Sequence, residues 1–538
     1  MYQIMVVALL AVLSVDAGAA TVFEQLPNPA GGLAHSSRWD PSGSDQDQQV
    51  WRSFTPATRE AIAAPARGAD IGVPDGAGGM FSAITAFHAT FFDLYVQHVN
   101  AAGVPLWQTN GAPICRSMLS WRNSTTLYKP VLIPDGAGGV FVAWQDARGA
   151  GTSLYLQRVS SSGVPQWAPG GMLISGTVFS NASTQLLTDG AGGAFVVWRD
   201  VRADENGDIY TQRVSAAGVS QWTPGGDVIC NAAGAQTGSI LVPDNAGGFI
   251  ALWADARTGD WDIYAQRQNA SGATQWTANG VAVVAVAGDQ QNKRTAPDGA
   301  GGVILAWQDP RNGTTNNDIY AQRMNGSGAN LWAANGVAVC TAAGDQLLPV
   351  LVPDGAGGTI VTWRDRRNGN ALDLYSQKLN SAGAPQWAAN GVAVCTAAGD
   401  QTEQSADPDG LGGAIVVWTD GRSGPTRTYC QRLNGSGSPQ WTADGVALGQ
   451  PALSSGQTDP AVAGDGVGGA IVSWFDAPWG DREMYAQRLS ASGSPQWATA
   501  GVGLFLDPGL QRYPAVLADG AGGSVMAWSE KSGRNYNV

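Results

Sequence analysis

A carboxylate and a guanidinium recur at fixed spacing along this chain, and the pairing invites a catalytic reading. In the pattern Trp-x-Asp-x-Arg, the acid stands at Asp146, Asp200, Asp255, Asp309, Asp365 and Asp420, and the base at Arg148, Arg202, Arg257, Arg311, Arg367 and Arg422. An active site needs one constellation, and copies in register describe architecture instead. The expected role is a charge-assisted pair that ties one strand to the Asp of the following Asp-Ile-Tyr strand. Other catalytic signals are missing. The three His (His35, His88, His98) lie towards the N-terminus, and no pair has metal-ligand spacing. There is no Gly-x-Ser-x-Gly elbow, phosphate loop or Cys-x-x-Cys. Glu is confined to Glu24, Glu60, Glu205, Glu403, Glu483 and Glu530. Two carboxylates brought together across repeats could still do glycosidase work.

Binding residues are easier to nominate. The 21 Trp fall at two recurrent positions, except Trp39, Trp51, Trp121, Trp261 and Trp479. Trp261, in Gly259-Asp260-Trp261-Asp262, and Trp479, in Pro478-Trp479-Gly480-Asp481, sit in loops between predicted strands. An exposed indole there could stack on a sugar ring, so Trp261, Trp479, Asp260 and Asp481 are the candidate ligand-binding residues; packing on a neighbouring repeat is the competing role. No catalytic residue and no metal ligand is assigned. Calcium is left open as a cofactor by Asp204-Glu205-Asn206-Gly207-Asp208 and Asn316-Asn317-Asp318, although turn chemistry explains both loops. Asp45 and Asp47, in the loop after Trp39, lack EF-hand spacing.

Of the five Cys, Cys115, Cys230, Cys340 and Cys395 each follow a repeat Trp by a constant offset. Other repeats place Ser175, Val284, Gly449 or Phe505 in that slot, which describes a half-buried packing position. Equivalent positions in different repeats lie too far apart for disulfides. Cys430 lies inside another strand.

The elements that position these residues are set by Asp-Gly-Ala-Gly-Gly and its variants. Their Asp residues are Asp75, Asp135, Asp189, Asp244, Asp298, Asp354, Asp409, Asp465 and Asp519. A period of about 55 residues marks a solenoid, propeller or array. Each copy turns a hairpin, because Asp-Gly followed by Gly supplies the positive-φ positions a tight turn needs. Nine copies on an acidic chain, none followed by a helix, exclude a phosphate cradle. The second strand, as in Thr359-Ile360-Val361-Thr362-Trp363, is apolar on both alternating faces and so must be covered on both sides. A third strand, such as Asp262-Ile263-Tyr264-Ala265-Gln266-Arg267, and a fourth beginning near Trp276 complete a meander. The predicted fold is all-β: a β-propeller of four-stranded antiparallel blades, about eight of them, with seven to nine as the range.

The first unit is degenerate, with Phe87-His88-Ala89-Thr90 for Trp-x-Asp and His98 for the Arg. The last stops mid-repeat: either the segment near Arg59–Ala66 supplies the missing outer strand to close a ring, or the sequence is truncated. Residues 1–19 read as a signal peptide, with an apolar Ile4–Val15 core before Ala17-Gly18-Ala19, although the n-region has no Lys or Arg. Residues 20–65 form a non-repeat segment and 66–538 the propeller. About twelve apolar residues are too few to span a bilayer, so no membrane span remains after signal removal. A formal charge of −13, with no basic run, disfavours nucleic acid as a partner.

Asp-Ile-Tyr-x-Gln-Arg, a polar Gly turn and then Trp resembles the region around the Asp-box of bacterial neuraminidase repeats. That family's Ser-x-Asp-x-Gly-x-Thr-Trp turn is matched by Ser160-Ser161-Ser162-Gly163-Val164-Pro165-Gln166-Trp167 in its Gly and Trp, while the Asp is absent and Pro-Gln replaces x-Thr. The resemblance implies a secreted propeller with sialidase-like blades. It carries over no sialidase residues, since the family's arginine cluster, Tyr–Glu pair and acid/base Asp fall on no non-repeating positions. The pattern also resembles that of repeat-rich exported bacterial proteins. The expected function is a non-enzymatic, secreted or cell-surface propeller binding a glycan or extracellular protein. The alternatives are a sialidase-like glycoside hydrolase and a structural module of a longer surface protein.

Overall fold

Asp244 shows how each repeat turns. Its side-chain Oδ1 accepts from the backbone N–H of Ala246 and of Gly248, both at 2.8 Å, and its own N–H donates to the Gly248 carbonyl. Gly247 holds a φ of 81° between them, so the side chain closes a loop that the backbone alone would leave open. The same bonds recur at Asp135, Asp189, Asp298, Asp354, Asp409 and Asp465. The turn reading of the Gly-rich repeat therefore holds.

In the computed structural model, the described residues are 72–518 and 524–531, with the short strands at 3–9, 49–51 and 62–64. Within the main span, 76–78, 89–90, 101–104, 109–110, 120–129, 147, 149–151, 177–183, 204, 314–315, 370, 423, 450–455, 477–482, 499 and 506–509 fall outside the description.

The described strands form eight four-stranded sheets, each a sequential antiparallel meander. They are numbered here as blades 1 to 8, spanning 72–119, 131–175, 185–230, 236–284, 291–340, 346–395, 401–447 and 457–505. The first strands of successive blades touch one another, which puts them innermost. This is the predicted all-β propeller.

Every residue of the second strands Val140–Asp146 and Ala414–Asp420 is buried, as two-sided cover requires. The cores lie between blades. One joins Phe195, Val197, Ile209 and Cys230 of blade 3 to Phe249, Ala251 and Trp253 of blade 4. A fully buried aromatic such as Trp253 contributes about 2–3 kcal/mol.

Neighbours are also stapled at the hairpin end. Arg267 donates its Nε to Asp244 Oδ2 at 2.8 Å and its Nη1 to the Gly326 carbonyl of the next blade, also at 2.8 Å. The Trp276 indole donates to that same carbonyl. In blade 1, His98 takes the place of Arg and meets Asp75 at 2.9 Å. In blades 4 to 7 the third-to-fourth hairpin is headed by Asn, with Asn269 Oδ1 accepting from the Ser271 and Ala273 N–H groups, where an Asp-box would set an Asp.

A ninth, three-stranded sheet pairs Leu510–Ala518 with Ser524–Lys531, and Ser524–Lys531 with Gln3–Leu9. The added strand thus comes from the stretch read as a signal. The segment expected to supply it contributes Ile62–Ala64 to a separate two-stranded sheet with Gln49–Trp51. The reason is register: Gln3 to Leu9 runs opposite Glu530 to Ser524 without a break.

Candidate functional site

The loops between second and third strands and the starts of the first strands share one end of the propeller, since Gln236 pairs with Asp255. The Trp-x-Asp-x-Arg motif sits there. Asp255 Oδ2 accepts from the Trp253 indole at 2.7 Å and from Arg257 Nη2 at 2.6 Å, while Oδ1 accepts from Arg257 Nε at 2.9 Å. Arg257 also donates to the Asn279 carbonyl and lies 3.8 Å from the centre of the Tyr264 ring. The Cys230 thiol, on the preceding blade, reaches Asp255 Oδ2 at 3.6 Å.

The expected tie to the Asp of the third strand is thus corrected in its partners. The guanidinium anchors to its own Asp, to the Tyr ring and to the carbonyl before the fourth strand, because two residues of separation bring the pair into bidentate reach. Asp262 is instead met by Thr258 Oγ1 at 2.5 Å.

Burial would by itself raise the Asp255 carboxyl, but Arg257 and Trp253 together hold it below its ordinary value. The balance at Asp200 is the same, with Arg202 and Trp198 outweighing burial. At Asp262 burial wins, opposed by the Thr258 bond, and its carboxyl is raised. Neighbouring carboxyls pushed apart in this way are a familiar acid/base arrangement. Here the same two carboxyl positions recur in blades 3, 5 and 6, so they are scaffold.

The Cys slot is also corrected. Cys115, Cys230, Cys340 and Cys395 are fully buried rather than half-buried, and each thiol faces the Asp of the next blade's motif. Burial pushes each thiol up to about 12. Ser175 does the same work, donating to Asp200 Oδ2 at 2.8 Å. Where Cys or Ser stands in the slot, each offers a small donor to that Asp, while Val284 fills it in blade 4 without one. Cys430 is buried too, and its thiol is raised by burial.

What does not repeat lies one step further in. The first strands of blades 4 to 8 each carry a bulge, where register shifts between the second and fifth or the first and fourth paired residues. At its centre stands a residue in the left-handed region: Gly238 (φ 63°), Asn292 (51°), Leu348 (51°), Glu403 (53°) and Asp459 (51°). The backbone repeats and the side chain does not. Holding a non-Gly residue there costs roughly 1–3 kcal/mol, a strain that clusters at functional sites.

Around these bulges, other unrepeated polar groups interlock between blades. Gln308 Oε1 accepts from Asn292 Nδ2 and from the Leu348 N–H. Arg364 Nε donates to Gln404 Oε1, and Gln404 Nε2 donates to the Leu348 carbonyl. Glu403 Oε2 accepts from Thr419 Oγ1 at 2.7 Å and from the Asp459 N–H at 2.8 Å. Burial lowers the Arg364 guanidinium and the Glu403 charge opposes it. Sequence reasoning missed this row of bulges, because a bulge leaves no motif behind; only a variable column six residues before each turn Asp could have drawn attention.

The nominated residues fare unevenly. Trp261 is half-buried, its N–H donates to Asp289 Oδ1 at 2.9 Å, and Asp260 Oδ2 accepts from the Gly288 N–H at 2.9 Å. Asn317 and Leu372 use their N–H groups in the same way, towards Asp345 and Asp400. The backbone bond is thus a repeat feature, while the indole is particular to blade 4. Trp479 and Asp481 lie outside the described residues. Of the loops left open to calcium, Asn316 and Asn312 donate to the Asp318 carboxylate, and Asn317 donates to Asp345. Among the described residues no group of three or more His, Cys, Asp or Glu could hold a metal ion.

No family model matches the chain, and no curated protein sequence does either. Among solved structures it is similar to a puromycin hydrolase at 13% identity, covering 81% of this chain, with a TM-score of 0.37. It spans 60% of that enzyme's length. A PL25 ulvan lyase matches at 10% identity over 83% of this chain and 95% of its own, TM-score 0.40. A Penicillium chrysogenum α-L-arabinanase complexed with arabinobiose matches at 12% over 65% and 92%, TM-score 0.30. Likeness at this level decides nothing about chemistry, which has to come from the chain's own residues.

Proposed function

We propose that the chain is a non-enzymatic glycan-binding propeller whose ligand rests on the bulged end of blades 4 to 8, with the Trp261 indole at its rim. The observation that carries this reading is the row of bulges. Gly238, Asn292, Leu348, Glu403 and Asp459 share one positive-φ backbone and no residue type, in a scaffold that otherwise repeats its side chains blade after blade. A scaffold repeats what folding needs; a ligand that is not itself repetitive needs differences. Amide, carboxylate and guanidinium groups beside a half-buried indole suit the hydroxyls and flat faces of sugars. A protein partner recognised by the same end is the competing occupant.

Export accords with the apolar core at 4–15, although cleavage beyond Ala19 would leave the ninth sheet with two strands. Among the described residues no helix is long and apolar enough to cross a membrane.

The test uses Gly as the replacement, since it keeps a positive φ at no steric cost. A glycan-array screen is run on the chain and on Glu403→Gly, Asp459→Gly and Trp261→Ala. Binding by the parent, lost or at least tenfold weaker in each variant with melting unchanged, supports the site. Full binding in all three variants removes it. The glycosidase alternative rests on Glu403 and Asp459, carboxylates on adjacent blades joined through the Asp459 N–H. Turnover of a bound glycan, abolished in Glu403→Gln, would favour it.

A further inference from the structure

The repeat spends its cations on its own acids. Arg158, Arg202, Arg213, Arg257, Arg267, Arg311, Arg323, Arg367, Arg422 and Arg432 all sit in ion pairs with the Asp residues of the turn or of Trp-x-Asp. Lys293 departs from this rule. It lies directly after the bulge residue Asn292, where blades 4, 6, 7 and 8 carry Ser239, Pro349, Gln404 and Pro460, all buried. Among the described residues its ammonium makes no hydrogen bond and no ion pair, though it is half-buried. Arg294 beside it is exposed and bonds to the Lys293 carbonyl at 3.2 Å.

The preceding blade leaves room for this ammonium. A Cβ at residue 238 would stand 3.3 Å from Lys293 Nζ, closer than such contacts normally allow, and blade 4 has Gly there. The equivalent Gln404 uses its amide to hold the carbonyl of the preceding bulge residue, Leu348. Lys293 offers the same reach with a positive charge and, among the described residues, makes no such bond. An ammonium kept partly out of water without a counter-ion is costly unless a ligand supplies one. Burial, with the like charge of Arg294, pushes it down to about 8.

We propose that Lys293, flanked by Arg294, receives an anionic group of the ligand, a carboxylate on an acidic saccharide. This rests on the glycan reading of the bulged end and deepens it. Lys293 supplies the point charge beside Gly238, and Arg294 adds a second donor from the exposed side. The neutral amides and hydroxyls of the neighbouring blades then read the rest of the sugar.

The experiment titrates the full chain with four probes: a tetragalacturonate, the neutral galactose tetramer made by reducing its carboxyls, a tetraglutamate peptide, and a sulfated galactose tetramer that separates carboxylate from sulfate. The expected result is tetragalacturonate binding at least tenfold tighter than the neutral tetramer. That preference disappears in Lys293→Met, which keeps the apolar stem, and falls in Gly238→Ala, which crowds the ammonium. Affinity should decline as pH rises through about 8, where Lys293 gives up its proton. Bound tetragalacturonate should also slow acylation of Lys293 at pH 8, read by peptide mass. Equal affinity for acidic and neutral tetramers, with Lys293→Met like the parent, overturns the inference and leaves the glycan reading standing. No binding of either tetramer overturns both. Tetraglutamate binding as tightly as tetragalacturonate, or the sulfated tetramer binding tighter, overturns the assignment to an acidic-saccharide carboxylate.

Discussion

Two glycines separate what the backbone demands from what the Trp staple demands. Gly299, in the Asp-Gly-Ala-Gly-Gly turn, has a φ of 79° and nothing within 4 Å of where a Cβ would stand. Gly328, in the third-to-fourth hairpin of blade 5, has a φ of 85°, and its Cβ would meet Trp276 of blade 4 at 2.8 Å from Cδ2 and 2.9 Å from Cγ. Both Ala variants incur left-handed strain of about 1–2 kcal/mol. Only Gly328→Ala must also displace an indole, adding about 1–3 kcal/mol of overpacking. Trp276 cannot swing away freely, because its Nε1 donates to Gly326 at 3.3 Å. The expected costs are therefore about 1–2 kcal/mol for Gly299→Ala and about 2–5 for Gly328→Ala. Because repeat arrays can unfold blade by blade, amide exchange in blades 4 and 5 is the preferred readout, with urea midpoints beside it. In a Trp276→Leu background the extra cost of Gly328→Ala should vanish, since the coupling is pairwise. Equal costs for the two Ala variants, or an extra cost that survives Trp276→Leu, would refute the Trp–Gly staple as the inter-blade device.

The buried carboxylates and thiols give two further outcomes. Asp255→Asn should cost about 3–5 kcal/mol at pH 7, since it leaves Arg257 without its counter-ion in a closed site. The folded carboxyl lies below its ordinary value of 3.8, so its contribution is full above 3.8 and is lost as pH falls through the lowered folded value. The melting gap between parent and variant should hold from pH 7 to about 4 and close below that; a gap that widens in acid would contradict the sign. Burial raises the Cys115, Cys230, Cys340 and Cys395 thiols to about 12, so iodoacetamide at pH 8 should label none of them in the folded chain and all of them in urea.

The fold was legible in the sequence because the same constraint is written many times. Each turn Asp, each Gly at positive φ and each two-faced apolar strand must be present for a blade to form, so periodicity alone predicts four strands and their order. The meaning of the recurrent Asp–Arg pair was half legible. Recurrence identified it as scaffold, but one of its partners, the Cys230 thiol, comes from the preceding blade, and sequence spacing within one repeat does not contain it. The outer strand of the ninth sheet was left open for a related reason: Gln3–Leu9 pairs with residues more than 500 positions away, and no local pattern announces it.

The bulged end was not legible at all, and its invisibility follows from what it is. Periodicity finds positions that agree, whereas a site for an irregular ligand consists of positions that disagree. Gly238, Asn292, Leu348, Glu403 and Asp459 share no residue type, and only their common positive φ shows that one backbone device holds them all. The same contrast is why the proposed binding roles fall to the indole of Trp261 and the ammonium of Lys293 and not to the Trp and Arg that recur in register. Trp253 and Arg257 satisfy one another, through Asp255, in a manner that blades 3, 5, 6 and 7 copy with their own residues. Lys293 is satisfied by nothing among the described residues. In a repeat protein the residue that breaks the pattern, and for which the scaffold supplies no partner, is the one whose partner has to come from outside.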